Sequence, residues 1–430
     1  MKHSLALPLT LAALLCAPRA LAQVDVYVCD GYDYEKISVE SYTEVQFAED
    51  QSTVTIADET FDVSDVDSIL FHEPQYNAIT VTWSGSSVSV NVPSSISGVT
   101  YSTSGAYVTI TSTNTTEELL YVLSGTSTKG GILINGSYKM RIHLDGVSLT
   151  SLKGSPFDIE CGKRIEVKLM KGTENSFVDA STSSVKGAFY TKGHLEIKGK
   201  GTLNVTGNYK HAICAGEYLQ LKPSTGTVNI LAAASDGIHC GDGEQNSEHS
   251  YFIMDGGTLN IASVGSDAID ADDYGSIIIN DGTLNLDLSQ TDGCGLKADS
   301  CLYLNGGDIV LNVSGAITQG IRYNYTGYFD GGTISGTISG NGAKGLKAKN
   351  TSSSSTVNGG GDAYFRGTDV SLTISGGTYT ADSSKCIGLR IDKDFYQTDG
   401  DITLTVTNSA ATGLDVKGTT TRTGGTCTVQ

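Results

Sequence analysis

Ser235-Asp236-Gly237-Ile238-His239-Cys240 and Ser266-Asp267-Ala268-Ile269-Asp270-Ala271 are one phrase written twice. In both, a small residue precedes an aliphatic anchor. The same pairing recurs at Ile213, Ile238, Ile269, Leu296, Ile321, Leu346, Leu389 and Leu414, mostly 25 residues apart, and extends backwards to Phe189, Phe157 and Ile132. A second phrase, Gly-Thr-aliphatic or a near variant, runs in step at Leu203, Val228, Leu259, Leu284, Ile309 and Ile334. Two phrases with one period describe one structural unit copied along an axis.

Twenty-five residues punctuated by Gly, Asn and Asp leave no room for a helix but fit three short strands and three turns. Gly, Ser and Thr abound, and no sustained 3.6-residue apolar spacing follows the first 22 residues, so the chain is all-β. The expected architecture is a parallel β-helix, a solenoid of about 25 residues per coil, with coils stacked at roughly 4.8 Å. The residue before each anchor is small (Ala212, Gly237, Ala268, Gly295, Gly320, Gly345, Gly388, Gly413), as a tight corner requires. The residue two after it, Cys240 among them, points inward. Asn204, Asn229, Asn260 and Asn285 occupy one column, where amides can hydrogen-bond up and down.

Flanking segments differ. Lys2 and His3, the apolar run Leu5 to Leu15 and Ala20-Leu21-Ala22 read as an export signal over residues 1–22, with cleavage before Gln23. A lipoprotein signal would carry a small residue just before Cys16, and Leu15 is not one. No later stretch is long and apolar enough to span a bilayer. Residues 23–75 form a small N-terminal β module, whose ending Asp67-Ser68-Ile69-Leu70-Phe71 resembles leader modules on exported proteins of Bacteroidota. Residues 76–130 supply cap strands, and 131–430 the solenoid. The expected locations are the periplasm, the cell surface or the exterior. Eight cysteines follow the signal; the frame packs several inward, so they are expected as reduced thiols. A formal net charge of −19 argues against nucleic acid as a partner.

Further phrases carry a family resemblance: Asp255-Gly256-Gly257-Thr258-Leu259, Gly201-Thr202-Leu203-Asn204-Val205, Lys171-Gly172-Thr173-Glu174-Asn175 and Gly193-His194-Leu195-Glu196-Ile197-Lys198-Gly199. With the two opening phrases they resemble a family of bacterial carbohydrate-binding β-helix proteins, typified by a surface protein of cellulose-degrading clostridia. The resemblance covers about residues 78–350. It implies a right-handed, single-stranded parallel β-helix that binds calcium and plant polysaccharides, acidic or cellulose-like, without established catalysis. The family's Asp-Gly-Ile phrase persists at Asp236 and, loosely, at Asp267; later coils put Cys294, Gln319 and Lys344 there.

Three sets of residues could carry chemistry. Asp236, Asp242, Asp267, Asp270, Asp272, Asp273, Asp292 and Asp299 fall on consecutive coils, and carboxylates stacked one strand apart repel one another unless a hard cation holds them. Calcium is the expected ion; the competing reading is solvated turn acids. Immediately after the anchor runs a charged column of His239, Asp270, Lys297, Arg322, Lys347 and Arg390, which alternation turns outward. Lys297, Arg322 and Lys347 could grip the carboxylates of a polyuronate, or be neutralised by Asp270 and Asp299. Tyr303 and Tyr328 align on neighbouring coils above Ile278, with Tyr325 nearby, as a platform for sugar C–H faces or as a cross-strand pair. The expected protein is a monomeric, non-catalytic polysaccharide binder. Its rivals are a calcium-dependent lyase using Arg322 or Lys297 as base near Asp299, and a structural surface protein or adhesin.

Overall fold

The structure, a computed structural model, describes residues 24–30, 33–39, 45–63, 66, 68–74, 77–241, 250–350 and 360–430. The expected signal, Asp242 and loop residues 351–359 lie outside these. The chain divides into two compact units, Met1–Tyr76 and Asn77–Gln430. The described residues are all-β, without an α-helix.

In the first unit, Val24–Asp30 pairs antiparallel with Asp33–Val39 and Ser68–Leu70, and Thr53–Ile56 pairs with Val45–Phe47 and Glu59–Asp62. Val26, Val28, Ile37, Val54 and Ile56 form its core.

The second unit contains two large sheets, of 13 and 24 strands. Its antiparallel strand pairs are Ala78–Ser84 with Ser87–Asn91 and Val99–Ser104 with Ala106–Ser112. Parallel pairing already starts there, because Ala78–Ser84 pairs with Leu119–Ser127 and Ala106–Ser112 with Gly130–Asn135. Beyond that point the named strands pair in parallel with the strand one repeat away. One repeat runs His211–Ala215, Leu219–Leu221, Thr227–Ala233, and the next begins at Ile238–Cys240. Three ladders result, here the anchor, middle and Gly-Thr ladders.

The register follows the sequence phrases residue by residue. Ile132, Phe157, Phe189, Ile213, Ile238, Ile269, Leu296, Ile321, Leu346, Leu389 and Leu414 form one continuous column. The small residue beside each anchor has a steric cause. A Cβ added at Gly320 would lie 2.6 Å from the Gly345 carbonyl oxygen, and one at Gly345 2.6 Å from that of Gly388. The chain turns its backbone edge directly onto the next repeat there, so bulk is excluded. Where the inward column carries a large residue, Tyr323, space comes from Gly327, whose added Cβ would strike the tyrosine ring.

The Asn column forms a rail: Asn229 Nδ2 donates to Asn204 Oδ1 at 2.8 Å, Asn260 to Asn229 at 2.8 Å and Asn285 to Asn260 at 2.7 Å. The eight described cysteines are free thiols, and Cys240 is fully buried.

Candidate functional site

The anchor ladder positions the charged residues. The column after the anchor runs Asp158, Tyr190, Cys214, His239, Asp270, Lys297, Arg322, Lys347, Arg390 and Asp415 in register. These side chains face away from the apolar interior, as alternation requires. They are not all exposed, however: His239 and Asp270 are buried. Stacking one strand spacing apart lets each side chain cover the next.

Asp236 and Asp267, two residues before their anchors, turn toward the following repeat. Asp236 Oδ1 accepts the Asp267 backbone N–H at 3.0 Å, and Asp267 Oδ1 accepts that of Cys294 at 2.7 Å. Their other oxygens join a buried cluster. His211 Nδ1 lies 3.0 Å from Asp236 Oδ2, and His239 Nδ1 lies 3.2 Å from it and 3.7 Å from Asp270 Oδ2. Lys297 Nζ stands 2.9 Å from Asp270 Oδ2 and 3.5 Å from Asp267 Oδ2.

Burial would lift the Asp236 pKa, but the facing imidazoles of His211 and His239 outweigh it and hold the group far below the usual carboxylate range. Burial lowers the His211 pKa, keeping that ring neutral. Burial raises Asp270 to about 6 against the pull of Lys297. For Lys297 burial is unfavourable, yet Asp270 and Asp267 hold its pKa well above the ordinary lysine value. The charge of Lys297 is thus answered within the protein by Asp270 and Asp267.

Of the seven candidate aspartates that are described, Asp236, Asp267 and Asp270 bring carboxylate oxygens within 4.8 Å of one another. Asp236, Asp267 and Asp270 share their space with a lysine and two imidazoles, and two of them spend an oxygen on backbone N–H groups. Asp273 and Asp292 are exposed turn residues at positive φ. Asp272 and Asp299 make the oxygen-only pair. Burial raises both, and the hydrogen bond between them then lowers Asp272 and raises Asp299 further. Asn324 Nδ2 donates to Asp299 Oδ1 at 3.3 Å. Two carboxyl groups this close hold either a shared proton or a cation. That pair supplies oxygen donors of the kind a hard cation takes.

Farther along the column the balance reverses. Among the described residues neither Arg322 nor Lys347 forms an ion pair, whereas Arg390 is held by Asp392 and Asp415, both at 2.6 Å. Arg322 Nε is buried without a hydrogen-bond partner. Lys349 belongs with them: burial first, then the charges of Arg322 and Lys347, lower its pKa. Burial and then Lys347 depress Lys344 in the same way. Four cations thus crowd one stretch of an acidic chain. Lys349 does not follow an anchor and so stands outside the charged column, and Lys344 enters the sequence reading only as the residue that replaces the Asp of the family phrase.

The aromatic set is larger than the sequence suggested. Ile278, Tyr303, Tyr328, Tyr364 and Tyr396 follow one another on the middle ladder. The rings stack at 5.2 Å and 14°, 5.6 Å and 17°, and 4.6 Å and 4°. Arg366 lies 5.2 Å over the Tyr328 ring. Stacked rings cover much of one another's faces, so the column presents ring edges and partial faces rather than an open two-ring platform. Tyr325 sits in the turn before Thr326–Phe329 and is not part of the stack. Tyr364 and Tyr396 were hidden by the long insertion between repeats, which breaks the 25-residue count. His211 was missed although it occupies the same place before Ile213 that Asp236 occupies before Ile238.

Residues 104–430 match the model of a family described as carbohydrate-binding domain-containing proteins. The chain belongs to that family. A protein of Acetivibrio thermocellus with the same description is 28% identical over 123 residues, which is 26% of this chain. The match spans 42% of that relative's length. A solved structure described as the polysaccharide lyase-like protein from C. thermocellum, a gadolinium derivative, aligns over 78% of this chain and 100% of that one. Sequence identity there is 17% and the TM-score 0.39. Among the described residues no helix is long and apolar enough to cross a membrane.

Proposed function

We propose that the protein is an exported, non-catalytic binder of plant-type acidic polysaccharides such as polygalacturonate. The observation that carries this reading is the run of unanswered cations: Arg322 and Lys347 on consecutive repeats, with Lys349 beside them. Buried or half-buried guanidinium charge cannot be shed by deprotonation. It is stabilised by an anion laid across it. Strands stacked at about 4.8 Å repeat at nearly the rise of a uronate residue, so successive carboxylates can meet successive cations. The tyrosine column offers apolar edges for sugar C–H groups. Lys297, already paired, takes no part.

The scaffold is a right-handed, single-stranded parallel β-helix. Three ladders recurring in fixed chain order support it, and connections between parallel strands of one sheet are right-handed in about 98% of proteins. Calcium, where bound, sits at Asp272 and Asp299, and its contribution is to remove their mutual repulsion. The pairing of Lys297 speaks against the lyase alternative, and a binder needs no base.

Adsorption of the full chain to immobilised polygalacturonate and to cellulose, over a salt series, tests the reading. Retention on polygalacturonate that weakens as salt rises is expected. Equal, salt-independent retention on both, or unsaturated uronides accumulating in solution, would sink it.

A further inference from the structure

We propose that His211, Asp236 and His239 form a three-residue binding site for one borderline divalent transition-metal ion of the zinc type. The site is distinct from calcium chemistry and from polysaccharide binding, and it pins two consecutive repeats together.

The argument starts from His211. Its ring is 1% exposed, and neither nitrogen has a hydrogen-bond partner. A buried imidazole left in that state is costly, and native proteins rarely leave one. Its Nδ1 nevertheless lies 3.0 Å from Asp236 Oδ2. The distance is short enough for an N–H···O bond, but the direction is wrong for one. It is the separation of two ligands on one ion.

The remaining geometry agrees. The His239 ring is stacked on His211 at 4.3 Å and 12°, one repeat on. His239 Nδ1 lies 3.2 Å from Asp236 Oδ2 and 3.7 Å from Asp270 Oδ2. In a tetrahedral site with bonds of about 2.0–2.1 Å, neighbouring donors stand about 3.3 Å apart. Donor atoms of His211, Asp236 and His239 all lie within 4.8 Å of one another, and all three residues are buried.

Charge and donor type select the ion. Asp236, Asp267 and Asp270 bring three negative charges, and Lys297 answers one of them. A divalent ion balances the other two. Calcium prefers six to eight oxygens, whereas two imidazole nitrogens and one carboxylate, with a water as fourth ligand, suit zinc, cobalt or nickel. His239 and Asp267, each 8% exposed as whole residues, mark where the cluster meets solvent.

The test uses the untagged full chain, stripped with chelator and titrated with Co²⁺ while the visible spectrum is recorded. One equivalent is expected to give the intense d–d absorption of a four-coordinate site. Stoichiometric Zn²⁺ should abolish it, and millimolar Ca²⁺ should not. H211A and H239A should each lose the band, and H194A, elsewhere on the protein, should keep it. No band, a weak six-coordinate band, displacement by Ca²⁺, or full retention in H211A or H239A would overturn the proposal. Because the wild-type spectrum is itself decisive, a variant that fails to fold leaves the test intact. Failure here would not touch the polysaccharide reading, which rests on Arg322, Lys347 and Lys349.

Discussion

Two charged stretches of the second unit follow opposite rules. On the middle ladder, Arg141, Glu166 and Glu196 stack in register, and the network closes on itself. Arg164 reaches Glu118, Glu166 at 3.0 Å and Glu196 at 3.4 Å, while Lys198 and Lys222 approach from the side. On the anchor ladder, Arg322 and Lys347 stack without an ion pair among the described residues, and Asp299 acts on Arg322 only through its field. One stretch spends its charge on the fold. The other keeps it available, and a column of like charge that stabilises nothing internally is best explained by what lies outside.

Removing the hub of the closed network should have the largest effect. R164A takes the bridging guanidinium from the largely buried Glu118, Glu166 and Glu196, leaving Lys139, Arg141, Lys198 and Lys222 to hold them, and a loss of about 3 kcal/mol in unfolding free energy is expected. Denaturant melts read it directly; a change below the noise would erase the distinction between the two stretches.

Asp158 sharpens the comparison, because it is an unpaired charge of the other sign. It lies in the anchor ladder's outward column, and burial, with Glu160 adding repulsion, raises it to about 7. An acid can escape by taking up a proton; Arg322 cannot. The folded protein therefore holds a proton that the unfolded chain has released, so stability falls as pH rises from about 4 to about 7. D158N should remove that slope, gaining about 2 kcal/mol at pH 8 and nothing at pH 4, once screening of a part-exposed group is allowed for. Parallel wild-type and variant curves across that range would refute the assignment.

The open stretch should respond in the opposite sense to the hub. R322A/K347A/K349A is expected to keep or slightly raise the melting temperature while weakening polygalacturonate binding about tenfold, near 1.4 kcal/mol. Unchanged affinity, measured by calorimetry at low salt, would return the three cations to solvent decoration.

The smallest expected effect belongs to the tyrosine column, which occupies the middle ladder's outward positions beyond Ile278. Y364A breaks two stacks and should cost about 1 kcal/mol in thermal melts. A loss of cellulose retention without any loss of stability would instead assign the ring to the ligand.

Much of this molecule was legible in its letters. The period, the anchor column, the small residue beside each anchor, the inward cysteines and the Asn rail all follow from local geometry repeated. A parallel stack converts sequence interval into vertical neighbours without further information. Register alone thus placed Lys297, Arg322 and Lys347 in one row, and Tyr303 above Ile278.

Which charges find partners was not written there. Lys297 looked like its two successors, yet Asp267 and Asp270 claim it while Arg322 and Lys347 stay open. His211 drew no reading from its letters; the fold alone brings Asp236 and His239 round it. Tyr364 and Tyr396 stood behind an insertion that hid their place in the stack. Periodicity fixes which residues are neighbours along the axis. Side-chain reach, burial and the direction of each lone pair decide which neighbours interact, and those quantities exist only once the repeats are laid one upon another.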